Sequence, residues 1–288
     1  EFVVLLDGMG SADDATIVAD RLLEACAQPY HLGEHEAFST ASIGIVTSDT
    51  PADNAEEVLR NADIAMYEAK LAGRGRYVEF DSSMHERVQN RLSLENDLRK
   101  ALDSGQLLLM YQPIVSLETG EVAGFEALIR WNHPERGLIP PGEFIPIAED
   151  TGLIIPIGEW VLREACRQFA AWRQSMGDAA PRSINVNVSR IQLVQRDLPV
   201  TIRRILEETG VAPSCLNLEL TESTVMEDVE SAVRILREIK ETGVKLSLDD
   251  FGTGHSSLSC LHQLSIDVLK IDRSFVVNID RGRDFVAL

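Results

Sequence analysis

Basic side chains are scarce in this sequence. Lys and Arg number 27 against 46 Asp and Glu, which gives a formal net charge of −19. Proteins that bind nucleic acids through bulk electrostatics usually carry a net basic face, so this composition argues against a nucleic-acid partner. A small phosphate ligand, held by a few local cations or by a metal ion, remains compatible with it.

Cysteines and long apolar runs are also few. The four cysteines, Cys26, Cys166, Cys215 and Cys260, lie far apart, without the paired spacing of metal sites or the density of a secreted disulfide scaffold. No apolar run reaches the roughly 18 residues that a membrane span needs. We therefore expect reduced thiols in a cytoplasmic domain, with any membrane association of the parent protein only through regions beyond this chain.

Hydrophobic spacing divides the chain into three parts. Residues 1–81 alternate helical spacing with short apolar runs typical of strands, Val3–Leu6 and Ala41–Val46. The composition of residues 82–104 predicts a helical connector. Residues 105–288 repeat a strand–helix unit, which indicates a mainly parallel sheet covered by helices, either doubly wound or a (β/α) barrel. The candidate strands of this last part are Leu107–Val115, Val122–Trp131, Ser183–Val188, Leu216–Leu220, Lys245–Asp249 and Val268–Ile271.

Polar side chains recur at the carboxyl ends of these strands. An antiparallel sheet with one solvent-exposed face would explain this alternation of apolar and polar residues without any function. The intervening helices argue against that explanation, because both faces of a parallel sheet are covered and inward polar groups must be paired or bind something. Converging carboxylates of Glu126, Glu219 and Asp249 would repel without a cation, and oxygen ligands of this kind suit Mg²⁺ or Mn²⁺. Lys270 could polarise a water or contact a phosphate there, or form a buried pair with Asp272.

Short motifs follow one another along residues 90–288. They are Tyr111–Ile114, Glu126–Leu128 followed by Arg130, Val186–Ser189, Glu219–Glu222, Asp249–Gly254 and Leu269–Asp272. In this order they resemble the EAL family of cyclic di-GMP phosphodiesterases. Residues 1–81 resemble the C-terminal half of a GGDEF diguanylate cyclase domain, through Ala41–Ile45 and Ala62–Lys70. The chain is thus identified as a fragment of a tandem GGDEF–EAL protein.

The resemblance implies an α/β fold, a (β/α)8 TIM-barrel-like EAL domain over residues 105–288. We expect it to be truncated before its last two strands and to follow a partial α/β GGDEF domain. It implies hydrolysis of the bacterial second messenger cyclic di-GMP to linear pGpG in signal transduction. The fragment itself would be weakly active or prone to aggregate, and cyclase activity is not expected of residues 1–81. The alternatives are a cyclic di-GMP receptor without catalysis and a barrel hydrolase for another phosphodiester.

Site residues and partners are also implied by the resemblance. Two Mg²⁺ or Mn²⁺ ions would bind, and the chain would form a homodimer through the EAL domain. Lys270 would hold the attacking water, Asp272 would orient its surroundings, and Glu222 would steady the loop Gly252–Gly254, a candidate lid. Gln112 and Arg130 would contact the substrate. The expected metal ligands are Glu126, Asn187, Glu219, Asp249 and Asp250.

Overall fold

The computed structural model describes residues 2–11, 13–33, 35–51, 54–226, 229–252 and 264–277. Contacts between residues divide the chain into two compact units, Glu1–Ser93 and Leu94–Leu288. None of the helices in the described ranges is both long and apolar enough to cross a membrane.

The first unit combines helices with two small sheets. Strands β1 and β2 pair as an antiparallel hairpin, and β3 pairs in parallel with β4. Helix α2 lies close against β3 at Gly44, where a Cβ atom would come within 2.0 Å of the carbonyl oxygen of Ala62. The elements are α1 (Asp13–Cys26), β1 (Tyr30–Leu32), β2 (His35–Ala37), β3 (Ser42–Ile45), α2 (Ala55–Leu71), β4 (Arg76–Glu79) and α3 (Ser83–Ala101), which ends in the second unit.

The strand predicted over Val3–Leu6 is wrong. Residues 2–6 form no strand, and the side chains of Val3 and Leu5 are 77% and 89% exposed. An apolar run becomes a strand only when a neighbouring backbone accepts and donates its hydrogen bonds. Among the described residues, β3 and β4 pair only with each other.

The second unit is built on one seven-stranded sheet. Its strand order is β11-β10-β9-β8-β6-β5, and β7 pairs with β6 outside this path. All six predicted strands are confirmed, with ends within two residues of the expected bounds. The elements are β5 (Leu107–Val115), β6 (Val122–His133), β7 (Gly137–Ile139), α4 (Pro141–Thr151), α5 (Ile154–Met176), β8 (Ser183–Asn187), α6 (Arg190–Leu193), α7 (Leu198–Thr209), β9 (Leu216–Thr221), α8 (Glu222–Met226), α9 (Val229–Lys240), β10 (Lys245–Phe251), β11 (Val268–Ile271) and α10 (Arg273–Val277), with 3-10 turns at Gly177–Ala179 and Pro213–Cys215.

Most neighbouring strands of this sheet are parallel, as predicted. Strands β6, β8, β9, β10 and β11 run in the same direction, whereas β5 is antiparallel to β6. The reason is the short connection between Val115 and Val122, which turns at Gly120 and is too short for a parallel crossover.

Alternation along the strands separates an apolar outer face from a polar inner face. On β8, Ile184 and Val186 are buried, and on β9 so are Leu216, Leu218 and Leu220. Helix α5 contributes its own buried stripe to this core, from Ile157 to Phe169. Because successive side chains of a strand point to opposite faces, the residues between these core positions share the inner face. They include Asn185, Asn187, Asn217, Glu219, Ser247 and Asp249.

The described cysteines are free thiols, as expected. Cys166 lies in the core on α5, where burial raises its pKa to about 12, and Cys26 and Cys215 are partly exposed. Cys260 lies outside the described residues.

Candidate active site

Three carboxylates meet at one place on the inner face of the sheet. Glu126 comes from β6, Glu219 from β9 and Asp249 from β10, and an oxygen from each lies within 4.8 Å of the others. Like charges at such distances repel strongly where burial limits screening by water. The convergence predicted from strand parity is therefore present, and it needs positive charge nearby.

Lys270 on β11 supplies part of that charge. Its Nζ donates hydrogen bonds to Glu219 Oε2 and Asp249 Oδ2, both at 2.7 Å, and to Glu126 Oε2 at 3.3 Å. Burial acts to lower the pKa of Lys270, but the hydrogen bonds to Asp249 and Glu219 outweigh it and raise the pKa. The side chain is therefore an ammonium ion at neutral pH. Three carboxyl groups thus share one ammonium group, so acidic groups outnumber basic groups in the cluster.

Asparagines support two of the carboxylates from β8. Asn187 Nδ2 donates to Glu126 Oε1 and Asn185 Nδ2 donates to Glu219 Oε1, each at 2.7 Å. The strand register pairs the Cα atoms of Glu126 with Asn185 and of Asn187 with Glu219, so both hydrogen bonds run diagonally. Burial raises the pKa of Glu219, and the hydrogen bonds from Lys270 and Asn185 oppose this only in part.

This donor set fits a divalent cation of the Mg²⁺ class. Carboxylate and amide oxygens are hard ligands, and the surplus of carboxyl groups over the single ammonium group favours a cation. The residues that can offer oxygens are Glu126, Glu219 and Asp249, with the amide of Asn187 beside them.

Asp250 and Asp272 lie at the edge of this cluster. Asp250 has a left-handed backbone, φ 54°, and its N–H donates to Asp249 Oδ1 at 2.9 Å. Burial, together with the charges of Asp249 and Asp272, raises the pKa of Asp250. The half-buried Asp272 instead accepts hydrogen bonds from the hydroxyl group of Ser274 and from its backbone N–H, the latter at 2.8 Å, and these bonds lower the pKa of Asp272. Within the described ranges no hydrogen bond joins Asp272 to Lys270, so its orienting role stays a prediction.

Glu222 holds the backbone of Gly252, the first residue of the candidate lid. The side chain is 3% exposed and its Oε2 accepts from the N–H of Gly252 at 2.8 Å. Gly252 has φ 96°, and a Cβ there would come within 2.8 Å of the Phe275 ring. Both facts demand glycine at this position. Thr253 and Gly254, the rest of the candidate lid, lie outside the described residues.

Glu219, one of the three clustered carboxylates, lines a cavity of about 570 Å³. Arg130 lines it and donates from Nη1 to the carbonyl oxygen of Ile129 at 2.8 Å. Part of the wall is apolar, formed by Ile145, Ile154, Ile157 and Val161. Such a cavity can bind a ligand that combines flat apolar groups with phosphate. Gln112 is exposed on β5 in register with Glu126 and is not among the residues that line this cavity.

Several polar residues near the site were given no role by the sequence reasoning. Asn185, Asn217 and Ser247 belong to the alternating segments of the predicted strands, but the sequence reasoning assigned them no role. Three hydroxyl groups that line the cavity were also missed: Thr221 Oγ1 lies 3.1 Å from Ser223 Oγ and 2.9 Å from Thr224 Oγ1. The alternation along β8, β9 and β10 indicates the face on which the asparagines and the serine lie, but it does not reveal which groups they contact.

Comparison with known protein families identifies the two parts of the chain. The family described as EAL domain matches residues 95–288. The chain belongs to the EAL family. The family described as diguanylate cyclase, GGDEF domain, matches residues 1–76.

Two curated proteins are similar to this sequence over nearly the whole chain. The bifunctional diguanylate cyclase/cyclic di-GMP phosphodiesterase MucR of Pseudomonas aeruginosa is 45% identical over 288 residues, covering 100% of this chain and 42% of MucR. The cyclic di-GMP phosphodiesterase PdeR of Escherichia coli is 39% identical over 281 residues, covering 98% of this chain and 42% of PdeR. The chain therefore spans about two fifths of the length of these curated relatives.

Solved EAL structures share the fold of the second unit. The PaMucR phosphodiesterase in complex with c-di-GMP is 47% identical, with a TM-score of 0.63, and the match covers 68% of this chain and 78% of that one. The EAL enzyme Bd1971, in its form with cAMP and cyclic-di-GMP, is 31% identical, with a TM-score of 0.64, covering 82% of this chain and 61% of that one. The expected TIM-barrel-like α/β class is confirmed by these similarities.

Proposed function

We propose that this EAL domain hydrolyses cyclic di-GMP to linear pGpG with the help of Mg²⁺ or Mn²⁺. The observation that carries the proposal is the cluster of Glu126, Glu219 and Asp249 around Lys270, beside a cavity that contains Arg130. The names of MucR and PdeR, and the c-di-GMP complex of PaMucR, support this choice of substrate.

The residues that would hold the cations are those of the inner face. Glu126, Asn187, Glu219 and Asp249 would bind one ion, and Asp250 would contribute to a second. When bound, such ions polarise a phosphoryl oxygen and make a water more acidic.

The side chains of this chain then bind and orient the reactants. Lys270 is an ammonium, so it donates hydrogen bonds to the attacking water or to a phosphate oxygen and cannot accept a proton. The water oxygen forms a bond to phosphorus as the bond from phosphorus to the ribose 3′ oxygen breaks. The water gives up a proton, the 3′ oxygen takes one up, and the opened ring ends in a 5′ phosphate and a 3′ hydroxyl group. Arg130 would bind the phosphate group that does not react. The apolar wall that contains Ile145, Ile154 and Ile157 would exclude water from one base of the dinucleotide.

The remaining roles concern the surroundings of the reaction. Glu222 would steady the loop that begins at Gly252, since it holds that residue's N–H. Gln112 would contact the substrate from β5, opposite Glu126. Asp272 would orient the surroundings of Lys270 once substrate is bound.

The test is a turnover assay with cyclic di-GMP in Mg²⁺, Mn²⁺ or EDTA. We expect pGpG release that requires metal and falls at least 100-fold in Glu126→Gln, because the cluster then loses one ligand charge. Glu121→Gln is the matched control, since Glu121 is an exposed carboxylate in the turn before β6. Metal-independent release, or equal activity of the two variants, would contradict the proposal.

The same assay separates the alternatives. Tight binding of cyclic di-GMP without release of pGpG would indicate a receptor. Comparable turnover of unrelated phosphodiesters would indicate a hydrolase of broader specificity.

The proposal also covers the domain boundaries, the oligomeric state and the location of the chain. We propose domains at residues 1–81 and 105–288 joined by a helical connector over 82–104, supported by α3 and by the division between Ser93 and Leu94. A homodimer through the EAL domain is proposed, which the sedimentation velocity of the chain would test. The cytoplasmic location and the lack of cyclase activity in residues 1–81 stay predictions.

A further inference from the structure

Two buried asparagines lie side by side on the inner face of the sheet. Asn185 on β8 and Asn217 on β9 are in register, and each is 5% exposed. In both side chains Oδ1 has no hydrogen-bond partner within the described part of the chain. Buried polar atoms are normally satisfied, so an unpartnered oxygen in each of two neighbours needs an explanation.

The partner of the Asn185 amino group gives that explanation. Asn185 Nδ2 donates to Glu219 Oε1 at 2.7 Å, while Glu219 Oε2 accepts from Lys270 at 2.7 Å. Both oxygens of a carboxylate that is 1% exposed are therefore held. An ionised carboxylate only accepts hydrogen bonds, so the amino group of Asn185 must face it and the carbonyl oxygen must point away. A leucine at this position would leave no unpartnered oxygen, but it would also leave Glu219 Oε1 without a donor.

Asn217 is as buried as Asn185 but has a different partner. Its Nδ2 donates to Ser247 Oγ at 2.6 Å and not to a carboxylate. The two asparagines thus match in residue type, burial and unpartnered oxygen, and they differ in the group that they hold.

We propose that Asn185 is a positioning residue, which fixes the orientation of Glu219 for a divalent cation. The inference rests on the proposed function, because it takes Glu219 to be a metal ligand. A ligand that is held in its binding orientation loses little rotational freedom when the ion binds, and groups that hold metal ligands typically contribute 10- to 100-fold to metal affinity. Asn217 has no such effect, since it holds a serine.

The test compares Asn185→Leu with Asn217→Leu in the 288-residue chain. Isothermal titration with Mn²⁺ in the absence of substrate measures the affinity directly, and thermal melting without metal measures stability. We expect Asn185→Leu to weaken Mn²⁺ binding about 10- to 100-fold and Asn217→Leu to change it less than threefold. Similar loss of affinity in both variants, or unchanged affinity in Asn185→Leu, would overturn the inference.

A second pair guards against variants that fail to fold. Asn185→Ser and Asn217→Ser keep a small polar group that is too short to replace the amide, and the same difference in Mn²⁺ affinity is expected. At saturating Mn²⁺ the KM for cyclic di-GMP should be unchanged in Asn185→Ser, which separates metal positioning from general disruption of the cavity. A wild-type chain that binds no divalent ion would refute the proposed function itself. A wild-type chain that binds Mn²⁺ and hydrolyses the dinucleotide, with both asparagine variants alike, would refute only the positioning role.

Discussion

Removal of the ammonium group from the carboxylate cluster is the sharpest perturbation that the site offers. In Lys270→Met the apolar stem is retained, while Glu126, Glu219 and Asp249 lose their shared donor. The side chains of these carboxylates are only 17%, 0% and 19% exposed, so water cannot replace the ammonium fully.

The expected cost follows from this burial. Removing one partner of a fully buried ion pair costs about 3–5 kcal/mol, because the other charge is left uncompensated. Lys270 is 28% exposed, so solvent screens part of the interaction and we reduce the figure to about 2 kcal/mol. For a unit of this size that corresponds to a fall in Tm of about 4–8 °C.

Lys240 provides a matched control. Its side chain is also 28% exposed, but it pairs with one carboxylate, Asp267, which is 34% exposed. A pair of that kind contributes about 0–1 kcal/mol, so Lys240→Met should lower Tm by only about 0–4 °C.

Thermal melting with and without Mn²⁺ checks the reasoning. A divalent cation can compensate the carboxylates that Lys270→Met leaves unpaired, so Mn²⁺ should raise the Tm of this variant more than that of Lys240→Met. Equal Tm values for the two variants without metal would refute the electrostatic argument. Equal stabilisation of both by Mn²⁺ would show that the ammonium group of Lys270 and the cation do not act on the same carboxylates.

Two further substitutions test the surroundings of the site. Gly252→Ala should destabilise the chain by about 1–3 kcal/mol, because it places a Cβ at φ 96° and within 2.8 Å of Phe275. Thermal melting measures this loss of stability. Gly142→Ala is the control, because Gly142 faces open space on α4 and its substitution should leave the Tm unchanged. Tyr111→Phe should change the pH dependence of stability, because burial raises the pKa of Tyr111 to about 12. In the unfolded chain this phenol loses its proton near its ordinary pKa of about 10, so the wild type should lose stability relative to Tyr111→Phe as pH rises from 10 to 12. Urea unfolding of both proteins across that range would expose the difference, and parallel curves would contradict it.

Strand positions could be predicted because apolar and polar residues alternate so regularly. Ile184 and Val186 mark the outer face of β8 as clearly as Asn185 and Asn187 mark the inner face. Strand direction was harder, since the repeated strand–helix units outweighed the short turn at Gly120, which makes β5 antiparallel. The failed strand at Val3–Leu6 has a different cause, because strand pairing depends on neighbours that a local pattern does not reveal.

The carboxylate cluster was also predictable, but the hydrogen bonds that organise it were not. The alternation of side chains along each strand places Glu126, Glu219 and Asp249 on one face of the sheet. It does not reveal which asparagine contacts which carboxylate. The register would pair Glu126 with Asn185, yet the hydrogen bond goes to Asn187. Side chains on twisted strands lean along the sheet, so contacts between strands depend on tilt as well as register.

The diagonal hydrogen bonds have a mechanical consequence for the site. Glu126 on β6 and Glu219 on β9 belong to different strands, and both are held by amides from the single strand β8. That strand lies between them, in parallel pairing with each, and its outer residues Ile184 and Val186 are anchored in the core. A shift of β8 would therefore move the donors to both carboxylates together. The packing of one buried strand, β8, thus sets the spacing of Glu126 and Glu219. The geometry of the carboxylate cluster therefore depends on the sheet and not on the loops around it.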